Sequence, residues 1–199
     1  MRKSCLWIIL FALVTLCCTA SGITFIPARA QSDSPLVIVL TADGAISPAM
    51  AEYLARGIET AERRAAAMLI VQLNTPGGAV TTMNDMVQDI LASQVPVVVY
   101  VAPRGGMAAS AGTLITMAGH AAAMAPETMI GAASPVGGEG EDLGETMAAK
   151  EENALAATAR ALGERRGAQA VAMAESAIRE ASAASASEAL QAGLVDFIA

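Results

Sequence analysis

Three short apolar runs constrain the chain most: Leu36–Leu40 (LVIVL), Met68–Leu73 (MLIVQL) and Val95–Val101 (VPVVVYV). Their length and β-branched residues read as strands. Between the first two, Ser47-Pro48 fits an N-cap with proline at the first helical position, and Met50, Tyr53, Leu54 and Ile58 then recur at helical spacing to about Ala66. Between the second and third, a helix from about Thr81 to Ser93 carries Met83, Met86, Val87, Ile90 and Leu91 on one face. Strands alternating with amphipathic helices specify an α/β fold with a mainly parallel sheet and helices packed on it.

The remainder continues that alternation with weaker signals. Met107 to His120 is almost without charge and reads as a buried helix, followed by short strands at Ala121–Met124 and Met129–Ala132. Gly137–Asp142 is an acidic, glycine-rich loop. Two alanine-rich helices follow, Glu145 to about Arg165 and Ala168–Arg179. Glu180–Ser187 (EASAASAS) reads as a surface turn, Ser187–Leu190 opens a last short helix, and Leu194–Ile198 supplies a final strand.

Residues 1–30 stand apart. They contain no acid, begin Arg2-Lys3, run apolar from Cys5 to Cys18 and close on Ala28-Arg29-Ala30. A positive start, a short apolar core and an A-x-A end read as a secretory signal peptide, with a short uncleaved anchor or a buried first helix as the other reading. The apolar run of 14 residues is short of the ~20 that cross a bilayer as a helix. Cleavage after Ala30 leaves residues 31–199 as one exported domain and removes Cys5, Cys17, Cys18 and Trp7. No disulfide or thiol nucleophile then remains. A single histidine excludes a histidine-built metal site, and the net charge of −7 excludes the basic face that nucleic-acid backbones require.

Two segments carry candidate chemistry. In Asn74-Thr75-Pro76-Gly77-Gly78 a strand ends and glycines precede a helix, leaving backbone N–H groups open to a ligand. An oxyanion hole, a phosphate cradle and a plain strand-to-helix turn all fit that motif alone. In Gly106-Met107-Ala108-Ala109-Ser110-Ala111-Gly112-Thr113, small neighbours surround a serine that is either a nucleophile or a helix N-cap. A serine nucleophile needs a base. His120 lies at the far end of the same expected helix, ~15 Å away at 1.5 Å per residue, and reads as a packing or helix-terminal residue. Lys150 is the sole lysine beyond residue 30, and Thr146, Met147, Asn153, Ala154 and Ala157 share its helix face without an acid. Burial of that face would favour the neutral amine a general base needs; a solvated surface lysine is the other reading.

Taken together, Ile70–Gly78, Pro96–Pro103, Ala108–Thr113, Ala123–Pro126 with Ile130–Ala132, and Glu188–Leu190 with Gly193–Asp196 resemble the protease domain of the NfeD family. These are membrane-associated serine proteases of the Clp protease and signal peptide peptidase superfamily. The resemblance spans about Leu36 to Ile198. It implies a Clp protease/crotonase-like α/β fold and peptide-bond hydrolysis by a Ser-Lys dyad. By that resemblance Ser110 is the nucleophile and Lys150 the base. The backbone N–H groups of Gly78 and Ala111 form the oxyanion hole, and Gly77, Gly78 and Ala79 bind substrate. Ser134 falls in a pocket wall where relatives often carry another residue.

The family resemblance further implies no ATP, metal or organic cofactor, a stomatin-like membrane protein as substrate and partner, and a homodimer or higher oligomer. The expected location is extracytoplasmic (periplasmic) and membrane-associated. Long family members continue into membrane helices and a small β-barrel domain, so the likeness is to the protease domain only. Two other functions fit less of the pattern. One is a non-catalytic scaffold that docks apolar partner helices. The other is a crotonase-type acyl-CoA enzyme, which an export signal opposes.

Overall fold

A computed structural model describes residues 34–135 and 144–199. The expected signal peptide at 1–30 and the acidic loop at 137–142 lie outside the described residues. β1 (Val37–Asp43), β2 (Met68–Asn74), β3 (Val97–Val101), β5 (Ala121–Met124) and β8 (Phe197–Ile198) form one sheet in the order β1-β2-β3-β5-β8, parallel throughout. β4 (Met107–Ala109), β6 (Met129–Gly131) and β7 (Ala183–Ser185) form a second sheet, in which β4 and β6 are parallel and β6 and β7 antiparallel.

The connections are helical. α1 (Pro48–Arg63) starts where Ser47-Pro48 predicts, with the Ser47 hydroxyl accepting the Met50 N–H. α2 (Val80–Ala92), α3 (Ala111–Ala118), α4 (Glu145–Gly163), α5 (Ala168–Arg179) and α6 (Ala186–Gln191) follow. Strand alternation sends Leu40, Ala42, Leu69, Val71, Leu73, Val97, Val99 and Val101 into the core. Met83, Met86 and Ile90 of α2 and Leu114, Ile115 and Met117 of α3 join them there. The opposite face of the large sheet leaves Val39 and Phe197 more than half exposed.

Alanine sets the spacing of α4 and α5. Ala156, Ala159, Ala170 and Ala174 are fully buried, and a Cβ on Gly163 would stand 2.6 Å from a Val171 methyl. Small residues at such positions let helix axes approach closely.

Two expectations are corrected, and one left open is decided. Met107–Ala109 is strand, not the first turn of a long helix; pairing with β6 and with Thr75 overrides the helix propensity of alanine and methionine. Ala183–Ser185 is β7 rather than a surface turn, because its backbone pairs with Met129–Gly131. The α4 face bearing Lys150 is solvent-exposed. The larger side chains Leu155 and Leu162 direct burial to the other side, with Ala156 and Ala159.

Candidate active site

Thr75 brings the two glycine-rich segments together. It is fully buried; its N–H donates to the Met107 carbonyl at 2.7 Å and its carbonyl accepts the Ala109 N–H at 3.0 Å. Its hydroxyl accepts the Gly77 N–H at 3.0 Å, curling the chain into the turn. Asn74 ties the same junction to its neighbours, donating to Asp43 Oδ1 at 2.9 Å and accepting the Met107 N–H at 3.0 Å.

The result places Gly77 against Ser110. A Cβ on Gly77 would stand 2.6 Å from Ser110 Cβ and 3.1 Å from its Oγ, and Gly77 has φ +114°. Glycine is required there twice, for space and for backbone. Gly78 leans on the other side against the Ile46 backbone, which a Cβ would overlap. Ala79 is the N-cap of α2 and donates to the Ile46 carbonyl at 3.4 Å; it does not line the cleft described below.

Ser110 occupies the hinge between β4 and α3 with φ 53° and ψ −120°. Such a conformation is costly for a residue with a Cβ, by about 1–3 kcal/mol. It is held by the Ser110 N–H donating to the Gly131 carbonyl at 2.8 Å and the Thr113 N–H donating to the Ser110 carbonyl at 2.9 Å. Thr113 is buried, and its hydroxyl reaches the Ala108 carbonyl at 3.1 Å. Ser110 caps α3 by position only, since its hydroxyl makes no capping bond. A sharp strand-to-helix turn of this kind presents a nucleophile at a helix N-terminus.

Ser110, Gly78 and Ala111 line one narrow cleft. Its walls are apolar, from Val80, Met83, Leu114, Ala133 and Leu155, and Ser134 and Pro135 close one side. The Ser134 hydroxyl donates to the Ile178 carbonyl at 2.8 Å, which turns it away from a chemical role. Among the described residues, neither the Gly78 nor the Ala111 N–H has a hydrogen-bond acceptor. Two such donors beside a serine suit a carbonyl oxygen that gains negative charge.

Lys150 is not part of that cleft. It is exposed on α4 and borders a separate open hollow with Gly144, Glu145, Thr146 and Met147. His120 follows α3, accepting the Val97 N–H on Nδ1 at 3.1 Å, so it is engaged at the far end from Ser110. Burial first, and the Arg165 charge second, hold its pKa below the ordinary histidine value. Thr75 was visible in the sequence only as part of a turn; nothing there marked its backbone as the link between motifs.

The two-sheet architecture is that of ClpP-type proteases. ClpP1 from Listeria monocytogenes superposes with a TM-score of 0.64 over 81% of this chain and 90% of its own, at 20% identity. The chain belongs to the family described as NfeD1b, N-terminal domain, whose model matches residues 36–192. It is 43% identical over 101 residues to the membrane-bound protease PH1510 of Pyrococcus horikoshii, covering 51% of this chain and 23% of that protein. It is 34% identical over 112 residues to the membrane protein NfeD1b of Bacillus subtilis, covering 56% and 25%. The matches thus span about a quarter of these curated relatives.

Among solved structures, the 1510-N membrane-bound stomatin-specific protease, as a serine-to-alanine mutant, matches with a TM-score of 0.76 at 32% identity, over 83% of this chain and 80% of its own. The same protease, as a lysine-to-alanine mutant in complex with a substrate peptide, gives 0.76 and 32% over 84% and 76%. The named relatives are membrane proteins; no helix among the described residues here is long and apolar enough to cross a membrane.

Proposed function

We propose that the chain is a serine endopeptidase that cuts apolar segments of membrane-associated proteins, a stomatin-like protein among them, with Ser110 as nucleophile and Lys150 as general base. The observation that carries this reading is the packing of Gly77 against Ser110, which sets the Gly78 and Ala111 N–H groups and the serine around one apolar cleft. The relatives add support. The stomatin-specific protease was solved with a serine and a lysine mutated in turn, and their separation along its chain differs by one residue from that between Ser110 and Lys150.

In this mechanism the Lys150 amine takes the proton from Ser110 Oγ as the oxygen attacks the scissile carbonyl. The N–H groups of Gly78 and Ala111 stabilise the oxyanion, each worth about 10²–10³ in kcat. The Lys150 ammonium then protonates the leaving amine, and water hydrolyses the acyl-enzyme. The apolar cleft walls suit an aliphatic side chain beside the scissile bond. The proposed setting is extracytoplasmic and membrane-associated, with a homodimer or higher oligomer formed on alanine- and methionine-rich surface such as that around Met147.

The exposure of Lys150 favours a second reading, a scaffold that docks apolar helices without cutting them. Cleavage decides between the two. The full 199-residue chain and its Ser110→Ala and Lys150→Ala variants are incubated with apolar peptides from a stomatin-like C-terminus. Each variant should lose at least about 10³-fold in kcat with an unchanged circular dichroism spectrum. A Lys150→Ala chain that cuts like wild type removes Lys150 from the mechanism. A folded wild type that cuts nothing supports the scaffold.

A further inference from the structure

Every residue of α3 is buried, so the carbonyls of its last turn, which lack intrahelical donors, cannot turn to water. Arg165 and Arg166, just beyond α4, take them instead. Arg165 Nη2 lies 2.8 Å from the Met117 carbonyl oxygen, 2.9 Å from that of Ala118 and 2.6 Å from that of Gly119. Arg166 donates through Nε to Met117 at 3.4 Å and through Nη2 to Gly119 at 3.1 Å.

The anchor extends to the C-terminal Gly193–Asp196 motif. The Arg166 side chain is 4% exposed, and its Nη1 meets Asp196 Oδ2 at 2.9 Å. The same oxygen accepts the Ala122 N–H at 2.7 Å, and the Asp196 N–H donates to the Ala122 carbonyl at 2.8 Å. Leu194 and Val195 are buried beside it. One network therefore joins the end of α3, the start of β5 and the chain segment before β8.

We infer that Arg165, Arg166 and Asp196 are positioning residues that fix α3 along its axis, and so set where Ser110 and the Ala111 N–H stand against the Gly77-Gly78 turn. The inference rests on the protease reading of the Ser110 cleft. None of the three residues lines that cleft. Yet α3 has eight residues and is only ~12 Å long at 1.5 Å per residue, with no joint between its two ends. A tilt at Gly119 is passed to Ser110. Displacement by about 1 Å at a reacting centre can cost ~10²-fold in rate. The two guanidinium charges also sit off the negative end of the helix dipole, where cations are favoured. The planar fork of arginine reaches several carbonyls at once; the ammonium of lysine does not.

The test uses the full chain as wild type, Arg166→Gln, Arg166→Lys, Asp196→Asn and, as a control in the core outside the network, Leu162→Ala. Peptide cleavage gives kcat and KM; amide hydrogen exchange at residues 111–113 is read without substrate. Arg166→Gln is expected to lower kcat by about 10- to 100-fold with KM within about twofold. Arg166→Lys should recover part of that loss, and exchange at 111–113 should rise in the same order. Leu162→Ala should lower Tm without lowering kcat well below Tm. If Arg166→Gln keeps wild-type kcat and wild-type exchange while its Tm falls like that of Leu162→Ala, the positioning role is overturned. If Arg166→Gln does not fold, Arg166→Lys and Asp196→Asn decide by the same two readouts. A wild type that cleaves nothing fails the protease reading, and exchange alone then decides the network.

Discussion

Gly77 is the residue at which the site is most sensitive. Its φ of +114° and its contact with Ser110 leave no place for a methyl group. Gly77→Ala should therefore move the serine and strain the turn together, lowering kcat/KM by at least about 10²-fold and stability by about 1–3 kcal/mol. Cleavage kinetics beside urea denaturation would check both, and a variant with wild-type kcat/KM would show that the turn does not position the serine. The glycines and Ser110 were each legible in the sequence, because small residues after an apolar run signal a close backbone approach. Their contact was not legible, since it depends on Thr75 pairing with Ala108, a bridge between residues far apart in the chain. The exposure of Lys150 was left open by the sequence for a related reason. An uncharged helix face fits either burial or solvent, and here alanines offer little area and two leucines outweigh them.

At the scale of elements, legibility follows side-chain size. β1, β2 and β3 carry valine, isoleucine and leucine, whose burial makes them strands, and they fall where the sequence places them. β4 and β7 are three residues each, of Met-Ala-Ala and Ala-Ala-Ser. No periodicity operates over that length, and only pairing with β6 makes them strands. β6 and the chain entering β7 pass close together, so Gly131 has no room for a side chain: a Cβ there would overlap the Ser182 carbonyl. The start of α1 was legible because Ser47 caps it; the Ser185 cap of α6 was hidden in the stretch read as a surface turn. Ser47→Ala removes the acceptor of the Met50 N–H and should cost about 1 kcal/mol in urea denaturation while leaving kcat unchanged. An unchanged denaturation midpoint would mean that Pro48 alone sets the start of α1.

At the scale of the whole molecule, parallel strand order follows from alternating strands and helices, but the way the far ends of α3, β3, β5 and the C-terminal motif lock together does not. His120 sits at that lock. Its backbone N–H donates to the Val97 carbonyl at 2.8 Å, and its Nδ1 must be unprotonated to accept the Val97 N–H. The charges facing it are Arg165 and, through the same network, Arg166 with Asp196. Burial and Arg165 depress its folded pKa below the ordinary histidine value. Below that value the unfolded chain takes up a proton that the folded chain refuses, so stability is full above it and is lost as pH falls towards the folded pKa. Burial and Asp85 raise the pKa of Asp89, which acts in the opposite sense as pH falls. Comparing wild type with His120→Gln cancels that contribution, since both chains share Asp89. Wild-type Tm should therefore fall more steeply than that of His120→Gln between about pH 7.5 and pH 5.5. Equal slopes would show that protonation of this ring does not strain the lock. A steeper slope in wild type would tie the loss to the one histidine of the chain, at the end of α3 remote from Ser110.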